Sequence, residues 1–103
     1  MIFNDDGRRT VNSEVIQRLR SEIDALDSEL LKLVEKRTQM VLQLAVAKRE
    51  QGVDDYDPVR EQAILESLYQ EFSPTFTQQE IEAIFKPIFK ASLRVQQDKK
   101  KPA

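Results

Sequence analysis

The chain has no cysteine and no histidine. The lack of cysteine excludes disulfide bonds and thiol chemistry. The lack of histidine removes the commonest general acid or base, the Ser–His and Cys–His nucleophile systems and the usual zinc ligands. An enzyme built on this sequence would have to work with carboxylates, lysine, arginine and amides.

Glycine and proline are also scarce, with two and four residues respectively. They leave little turn chemistry for a β-protein, whereas the helix-favouring residues Leu, Glu, Gln, Lys and Ala are plentiful. The composition therefore predicts an all-α fold, and a length of 103 residues suits one domain.

Membrane and nucleic-acid signals are missing as well. No apolar run approaches the length of a membrane span, and residues 1–10 are too polar for a signal peptide, so we expect a cytoplasmic protein. The net charge of −2 gives no reason to expect nucleic acid or an anionic membrane as a partner.

One apolar stripe runs along most of the N-terminal half. We expect residues 1–12 to form a flexible arm, Asn12 or Ser13 to cap a long helix, and Gly52 to stop it. The stripe keeps a 3,4,3,4 spacing through Ile16, Leu19, Ile23, Leu26, Leu30, Leu33, Arg37, Met40, Leu44 and Ala47. Such a helix would measure about 57 Å, whereas a compact domain of this size is only about 35 Å across. We therefore expect a homodimer that pairs through the long helix.

A second helix is predicted to follow a short loop. Asp57 is a good N-cap and Pro58 fits the first helical position, so the helix should run over residues 58–72. Its apolar face begins with polar side chains at i, i+3 and i+4. That face is formed by Asp57, Arg60, Glu61, Ile64, Leu65, Leu68 and Phe72.

A third helix is predicted to run to about residue 97. Thr77 and Glu80 have the spacing of a capping box, and Pro87 should kink the helix. Its apolar face passes from Ile81, Phe85 and Ile88 into Ser92 and Gln96. We expect residues 98–103 to form a flexible basic tail.

Each predicted helix thus has polar side chains on its apolar face. Burying such groups is costly unless they find partners, so we infer a polar pocket in the helical core that a ligand completes. The candidates are Arg20, Arg37, Lys48, Asp57, Arg60, Glu61, Ser92 and Gln96. Guanidinium groups fork onto carboxylates, Lys and Gln donate to neutral oxygens, and Asp or Glu accepts from a hydroxyl, so the set suits a small dianion.

Helix geometry decides which candidates can meet. Arg37 and Lys48 lie within about 20° of one another around the axis and about 16 Å apart along it, so they can share a ligand. Arg20 lies about 100° and about 25 Å from Arg37. It cannot serve the same pocket from its own chain, but it could enter the partner's pocket in an antiparallel or crossed dimer.

Each candidate taken alone also has a purely structural explanation. Arg37 could set the register of a helix pair by binding a glutamate of the partner. Lys48 lies near a helix C-terminus, where a cation is favoured, and Asp57 is a helix cap first. Only the joint occurrence of the candidates favours a ligand pocket.

Four motifs follow one another in a specific order. Residues 19–27 (LRSEIDALD) have an Arg followed by I-x-x-L-D, and Arg37 and Lys48 come ten and twenty-one residues after this run. Residues 57–61 (DPVRE) fit D-x-x-R-E, and Ser92 with Gln96 form a polar pair on the third helix. Over about residues 13–97, which we take as the domain, the chain resembles the all-helical (AroQ-type) chorismate mutases.

The resemblance implies an intertwined homodimer of three-helix protomers with two equivalent active sites. The implied reaction is the Claisen rearrangement of chorismate to prephenate, at the branch toward phenylalanine and tyrosine. It is unimolecular and pericyclic, so no metal or cofactor is required. Arg20 from the other protomer, Arg37 and Arg60 would hold the carboxylates in the reactive diaxial conformer, and Ser92 would complete the carboxylate site.

The resemblance also implies roles at the other end of the substrate. Lys48 and Gln96 would donate to the ether oxygen as negative charge builds there in the transition state. Asp57 and Glu61 would orient the ring hydroxyl or the cationic side chains. Among these candidates we take Arg37, Lys48, Gln96 and Glu61 as the catalytic ones.

Other interpretations remain open at this stage. Isochorismate-pyruvate lyases and aminodeoxychorismate mutases use related pockets, and a carboxylate such as Glu61 binds an amine as well as a hydroxyl. A helical dimerisation or regulatory module without catalytic activity would explain the apolar stripe of the long helix, but not the inward polar groups. The basic tail could dock another enzyme of the shikimate pathway. A nucleic-acid-binding coiled coil is disfavoured by the acidic balance.

Overall fold

The computed structural model describes residues 8–100, and they form three α-helices. In chain order these are α1 (Arg8–Glu50), α2 (Pro58–Phe72) and α3 (Gln78–Lys100). Residues 8–100 contain no strand, and none of their helices is both long and apolar enough to cross a membrane. The predicted all-α fold is confirmed.

The start of α1 differs from the prediction. The helix begins at Arg8 rather than at Asn12 or Ser13. Asn12 and Ser13 are exposed, and such residues lower the stability of an exposed helix interior by at most about 0.7 kcal/mol each, so they do not have to mark its end. The predicted flexible arm therefore loses residues 8–12 to the helix, and its residues 1–7 lie outside the described residues.

Gly52 ends α1 as predicted. Its φ of +70° is the left-handed conformation that favours glycine. The Gly52 N–H donates to the Arg49 carbonyl at 3.1 Å, and the Val53 N–H donates to the Lys48 carbonyl at 2.8 Å. These two bonds form a Schellman motif, so the loop to α2 begins directly beside Lys48.

The predicted beginnings of α2 and α3 are confirmed. The Asp57 carboxylate caps α2 by accepting from the Arg60 N–H at 3.0 Å. Thr77 and Glu80 exchange the two hydrogen bonds of a capping box, at 2.9 and 3.1 Å. α3 continues through Pro87 to Lys100, beyond the predicted end near residue 97. Of the predicted basic tail, residues 101–103 lie outside the described residues.

Contacts divide the chain into two units, residues 1–35 and residues 36–103. In the first unit, residues 8–35 are all α1. Their apolar stripe is exposed, and Leu26, for example, is 63 % exposed. An exposed stripe of this length is rare on a monomeric protein surface, where large apolar patches generally mark interaction sites.

The second unit holds the end of α1 together with α2 and α3. Its core consists of the buried residues Leu65, Ile81 and Phe89. The partly buried residues packed against them are Ile64, Leu68, Tyr69 and Phe85. The predicted apolar face of α3 included Ile88, but the structure buries Phe89 more completely; both positions fit a 3.6-residue period.

The end of α1 has two different apolar faces. Ala45 is buried, with 1 % exposure, and Val41 is partly buried, whereas Met40 and Leu44 of the predicted stripe are exposed. The face that packs within the second unit is therefore rotated by one residue, about 100°, from the stripe. Arg37 lies at the edge that the two faces share.

Candidate active site

The second unit has a cavity of about 450 Å³ that is open to solvent on one side. This volume is within the range of pockets that bind small molecules. Seven of the eight predicted site residues line it: Arg37, Lys48, Asp57, Arg60, Glu61, Ser92 and Gln96. The eighth, Arg20, is an exposed residue of the first unit and is not part of the lining.

α1 contributes the two cations Arg37 and Lys48. The Arg37 guanidinium carbon lies 5.3 Å from the centre of the Phe89 ring. The Lys48 ammonium donates to the main-chain carbonyl of Asp55 at 3.2 Å. Both long side chains are thus held in place before any ligand enters.

The charge of Arg37 is disfavoured by its surroundings. Burial lowers the pKa of Arg37, and the positive charge of Arg60 lowers it further, whereas Glu61 acts in the opposite direction and more weakly. Arg37 remains protonated at neutral pH, since guanidinium groups titrate only at very high pH. An anion bound between Arg37 and Arg60 would relieve the repulsion, so the pair is suited to a carboxylate.

α2 contributes three polar side chains from its first turn. The N-cap role places the Asp57 carboxylate at the start of the helix, where it is exposed and also lines the cavity. Arg60 and Glu61 follow on the same face, three and four residues later. Asp57 therefore combines a structural role with a place in the site.

α3 contributes the two most deeply buried polar groups of the cavity. Ser92 is 3 % exposed and Gln96 is 6 % exposed. The Ser92 hydroxyl lies 3.4 Å from the Thr38 hydroxyl. Within the described part of the chain, none of the hydrogen bonds involves the Gln96 amide. The Gln96 side chain is nearly buried yet lines the cavity, so its amide is available to a ligand with a polar atom.

The lining residues Asp55, Tyr56 and Phe89 were not predicted from the sequence, and neither was Thr38, which contacts Ser92. Phe89 had a usable signal, because it precedes Ser92 by three residues and Gln96 by seven and so shares their helix face. Asp55 had none, since its contribution is a main-chain carbonyl in a loop.

The sequence can now be placed among known proteins. A family model described as chorismate mutase type II matches residues 19–97. The chain belongs to the chorismate mutase type II family. The match runs from the residue before Arg20 to the residue after Gln96, so it includes all eight predicted site residues.

Solved chorismate mutases have the same fold. Form II from Thermus thermophilus is 38 % identical with a TM-score of 0.74, and the likeness covers 80 % of this chain and 93 % of that one. Form I from the same organism is 39 % identical with a TM-score of 0.70, covering 75 % and 96 %. The predicted family, chorismate mutase function and isomerase class are confirmed.

One curated relative is much longer than this chain. The T-protein of Haemophilus influenzae is 44 % identical over 54 residues, which are 52 % of this chain but only 14 % of the T-protein. The matched residues thus correspond to only a small part of the T-protein.

Proposed function

We propose that the cavity binds chorismate and that its side chains accelerate the rearrangement to prephenate in phenylalanine and tyrosine biosynthesis. The observation that carries the proposal is the nearly buried Gln96 side chain, which lines the same cavity as the cations of α1 and α2. A donor amide, an ammonium and paired guanidinium groups around one small cavity match a substrate with two carboxylates and an ether oxygen.

The reaction requires no covalent bond between the protein and the substrate. The ether C–O bond breaks while a C–C bond forms in the same molecule, so no atom or proton is exchanged with the enzyme. Arg37 and Arg60 would bind carboxylate, and Ser92 would donate a further hydrogen bond. Holding the substrate in its reactive diaxial conformer removes an entropic part of the barrier.

Lys48 and Gln96 would act on the transition state. Negative charge builds on the ether oxygen as the C–O bond breaks, and fixed donors in a partly dry site stabilise that charge more than they stabilise the ground state. An ammonium has three donors. The Asp55 carbonyl takes one of them and leaves two for the substrate.

Asp57 and Glu61 would orient the remaining groups. A carboxylate can accept from the ring hydroxyl of chorismate or hold a neighbouring guanidinium in place. Glu61 is partly buried and acts electrostatically on Arg37 without pairing with it, which favours charge compensation beside the cations as its role. Asp57 is more exposed, which favours the ring hydroxyl as its partner.

We further propose a homodimer in which the partner subunit's Arg20 completes each site. The stripe residues of α1, including Leu26, Leu30 and Leu33, are exposed, and the end of α1 packs within its own unit through a different face. The stripe is therefore left for a second copy. A cytoplasmic location and a shikimate-pathway enzyme at the basic tail stay predictions.

The proposal is tested by incubating the purified protein with chorismate and identifying the product. Arg37→Ala is the site variant, and Arg94→Ala is the matched control because Arg94 pairs with Asp98 at the surface. We expect prephenate from the wild type and from Arg94→Ala, and little from Arg37→Ala. A folded wild type that leaves chorismate unchanged would contradict the proposal. Parallel runs with isochorismate and aminodeoxychorismate then distinguish the related reactions.

A further inference from the structure

Arg37 is held by an aromatic ring rather than by an ion pair. Its guanidinium carbon lies 5.3 Å from the Phe89 ring centre, within the distance at which a cation is attracted to a ring face. In residues 8–100, none of the ion pairs or side-chain hydrogen bonds involves Arg37. The ring is therefore the contact that fixes the direction of this side chain.

The ring itself is firmly placed. Phe89 is 7 % exposed and belongs to the buried core with Leu65 and Ile81. It also contacts Phe85 at a centroid distance of 6.0 Å and an interplanar angle of 57°, a tilted arrangement that aromatic pairs favour. Any rotation of the Phe89 ring would disturb these contacts, so the ring is a rigid support.

An aromatic support has an advantage over a carboxylate here. A carboxylate bound to Arg37 would compete with the anionic substrate for the same N–H donors. A ring face attracts the guanidinium through its quadrupole and leaves the N–H groups at the edge of the guanidinium plane available. The ring thus orients Arg37 without occupying it.

We propose that Phe89 is a positioning residue, which holds the Arg37 guanidinium ready to bind a substrate carboxylate. It acts through Arg37 and rests on the proposed function of the cavity. Phe89 lies on the same face of α3 as Ser92 and Gln96, so one face of the helix carries both the support for Arg37 and two direct ligand groups. This role makes part of the hydrophobic core a determinant of substrate affinity.

Phe89→Leu tests the role, because leucine keeps an apolar side chain and removes the ring face. The matched control is Phe85→Leu, which removes the neighbouring ring from the same core four residues earlier and is not part of the cavity lining. With chorismate as substrate, we expect Phe89→Leu to raise KM about tenfold with a smaller change in kcat. Phe85→Leu should change KM less than twofold, and Phe89→Tyr, which keeps the ring, should restore the wild-type KM.

A second measurement does not depend on activity. A ring current shifts the resonance of a proton above the ring, so the Arg37 Nε–H signal should move when Phe89 becomes Leu and stay in place when Phe85 does. Thermal unfolding of both Leu variants shows whether each remains folded.

The outcomes separate the two proposals. A wild type that does not consume chorismate overturns the proposed function. An active wild type whose KM is unchanged in a folded Phe89→Leu, or raised equally by Phe85→Leu, overturns the positioning role alone. An unmoved Arg37 resonance in Phe89→Leu overturns it as well.

Discussion

The Thr38 hydroxyl of α1 lies 3.4 Å from the hydroxyl of Ser92, a residue of α3 that lines the cavity. Ser92 is almost fully buried, so its hydroxyl depends on partners inside the protein. Thr38 therefore links the position of a cavity-lining hydroxyl on α3 to the helix that carries Arg37.

We predict that Thr38→Val lowers the free energy of unfolding by about 1–2 kcal/mol, because valine keeps the shape and leaves the buried Ser92 hydroxyl without this partner. Urea denaturation measures the change. Thr38→Val, Ser92→Ala and the double variant form a cycle, and the double variant should lose less than the sum of the single losses. Additive losses would show that the two hydroxyls do not interact.

Two variants of Asp57 should separate its structural role as a helix cap from its functional role in the site. Asparagine caps helices as well as aspartate does, whereas alanine does not, so Asp57→Ala should cost about 1 kcal/mol of stability and Asp57→Asn almost none. Both variants should raise KM for chorismate, because both lack the carboxylate. Parallel unfolding and kinetic measurements check this. An Asp57→Asn enzyme with wild-type KM would limit Asp57 to helix capping.

Lys48 should act mainly in the transition state. Removing a donor of this kind typically lowers kcat by about 10²–10³, so Lys48→Ala should lower kcat by that order and raise KM much less. Arg49→Ala is the control, since Arg49 is the next cation of α1, is exposed and does not line the cavity. Steady-state kinetics on chorismate measure both. Equal losses in the two variants would point to a general effect of charge at the end of α1.

Arg20 should act across the dimer. Arg20→Ala and Arg37→Ala homodimers should each be nearly inactive, because every site lacks one guanidinium. After unfolding and refolding together in equal amounts, half of the dimers are mixed and each has one intact site, so about a quarter of wild-type activity should return. If Arg20 served its own chain, both sites of the mixed dimer would stay defective and no activity would return.

The charge of Arg37 should lower the free energy of unfolding of the protein. Folding lowers the pKa of Arg37, first through burial and then through Arg60. At every pH below that lowered pKa, the folded state therefore disfavours the charge relative to the unfolded chain. Arg37→Met removes the charge and keeps a flexible apolar side chain that can contact the Phe89 ring. We expect an unchanged or higher Tm together with loss of activity, and a clearly lower Tm would contradict this account.

Local signals in the sequence were enough to predict the fold. Asp57 and Pro58 marked the start of α2 correctly, Thr77 and Glu80 that of α3, and Gly52 the end of α1. Each of these features depends on residues close together in the chain. The start of α1 was missed because a residue that can cap a helix can also lie within an exposed one.

Some residues of the candidate site could also be predicted from local patterns along single helices. Arg37, Lys48, Ser92 and Gln96 were found because helix periodicity places them on inward faces. Thr38 was missed because its partner Ser92 is 54 residues away on another helix. Spacing on α3 could have placed Phe89 on the face of Ser92 and Gln96, but not its contact with Arg37 of α1. Such contacts follow from how helices pack, which the spacing along one helix does not reveal.

Lys48 makes two hydrogen bonds with the loop before α2. Its carbonyl accepts from the Val53 N–H in the Schellman motif, and its ammonium donates to the Asp55 carbonyl. Only one residue, Asp54, separates Val53 from Asp55, and Asp57 must lie at the first turn of α2. The loop therefore has no spare length: its side chains can vary, but a single inserted residue would separate the Lys48 ammonium from the cap of α2.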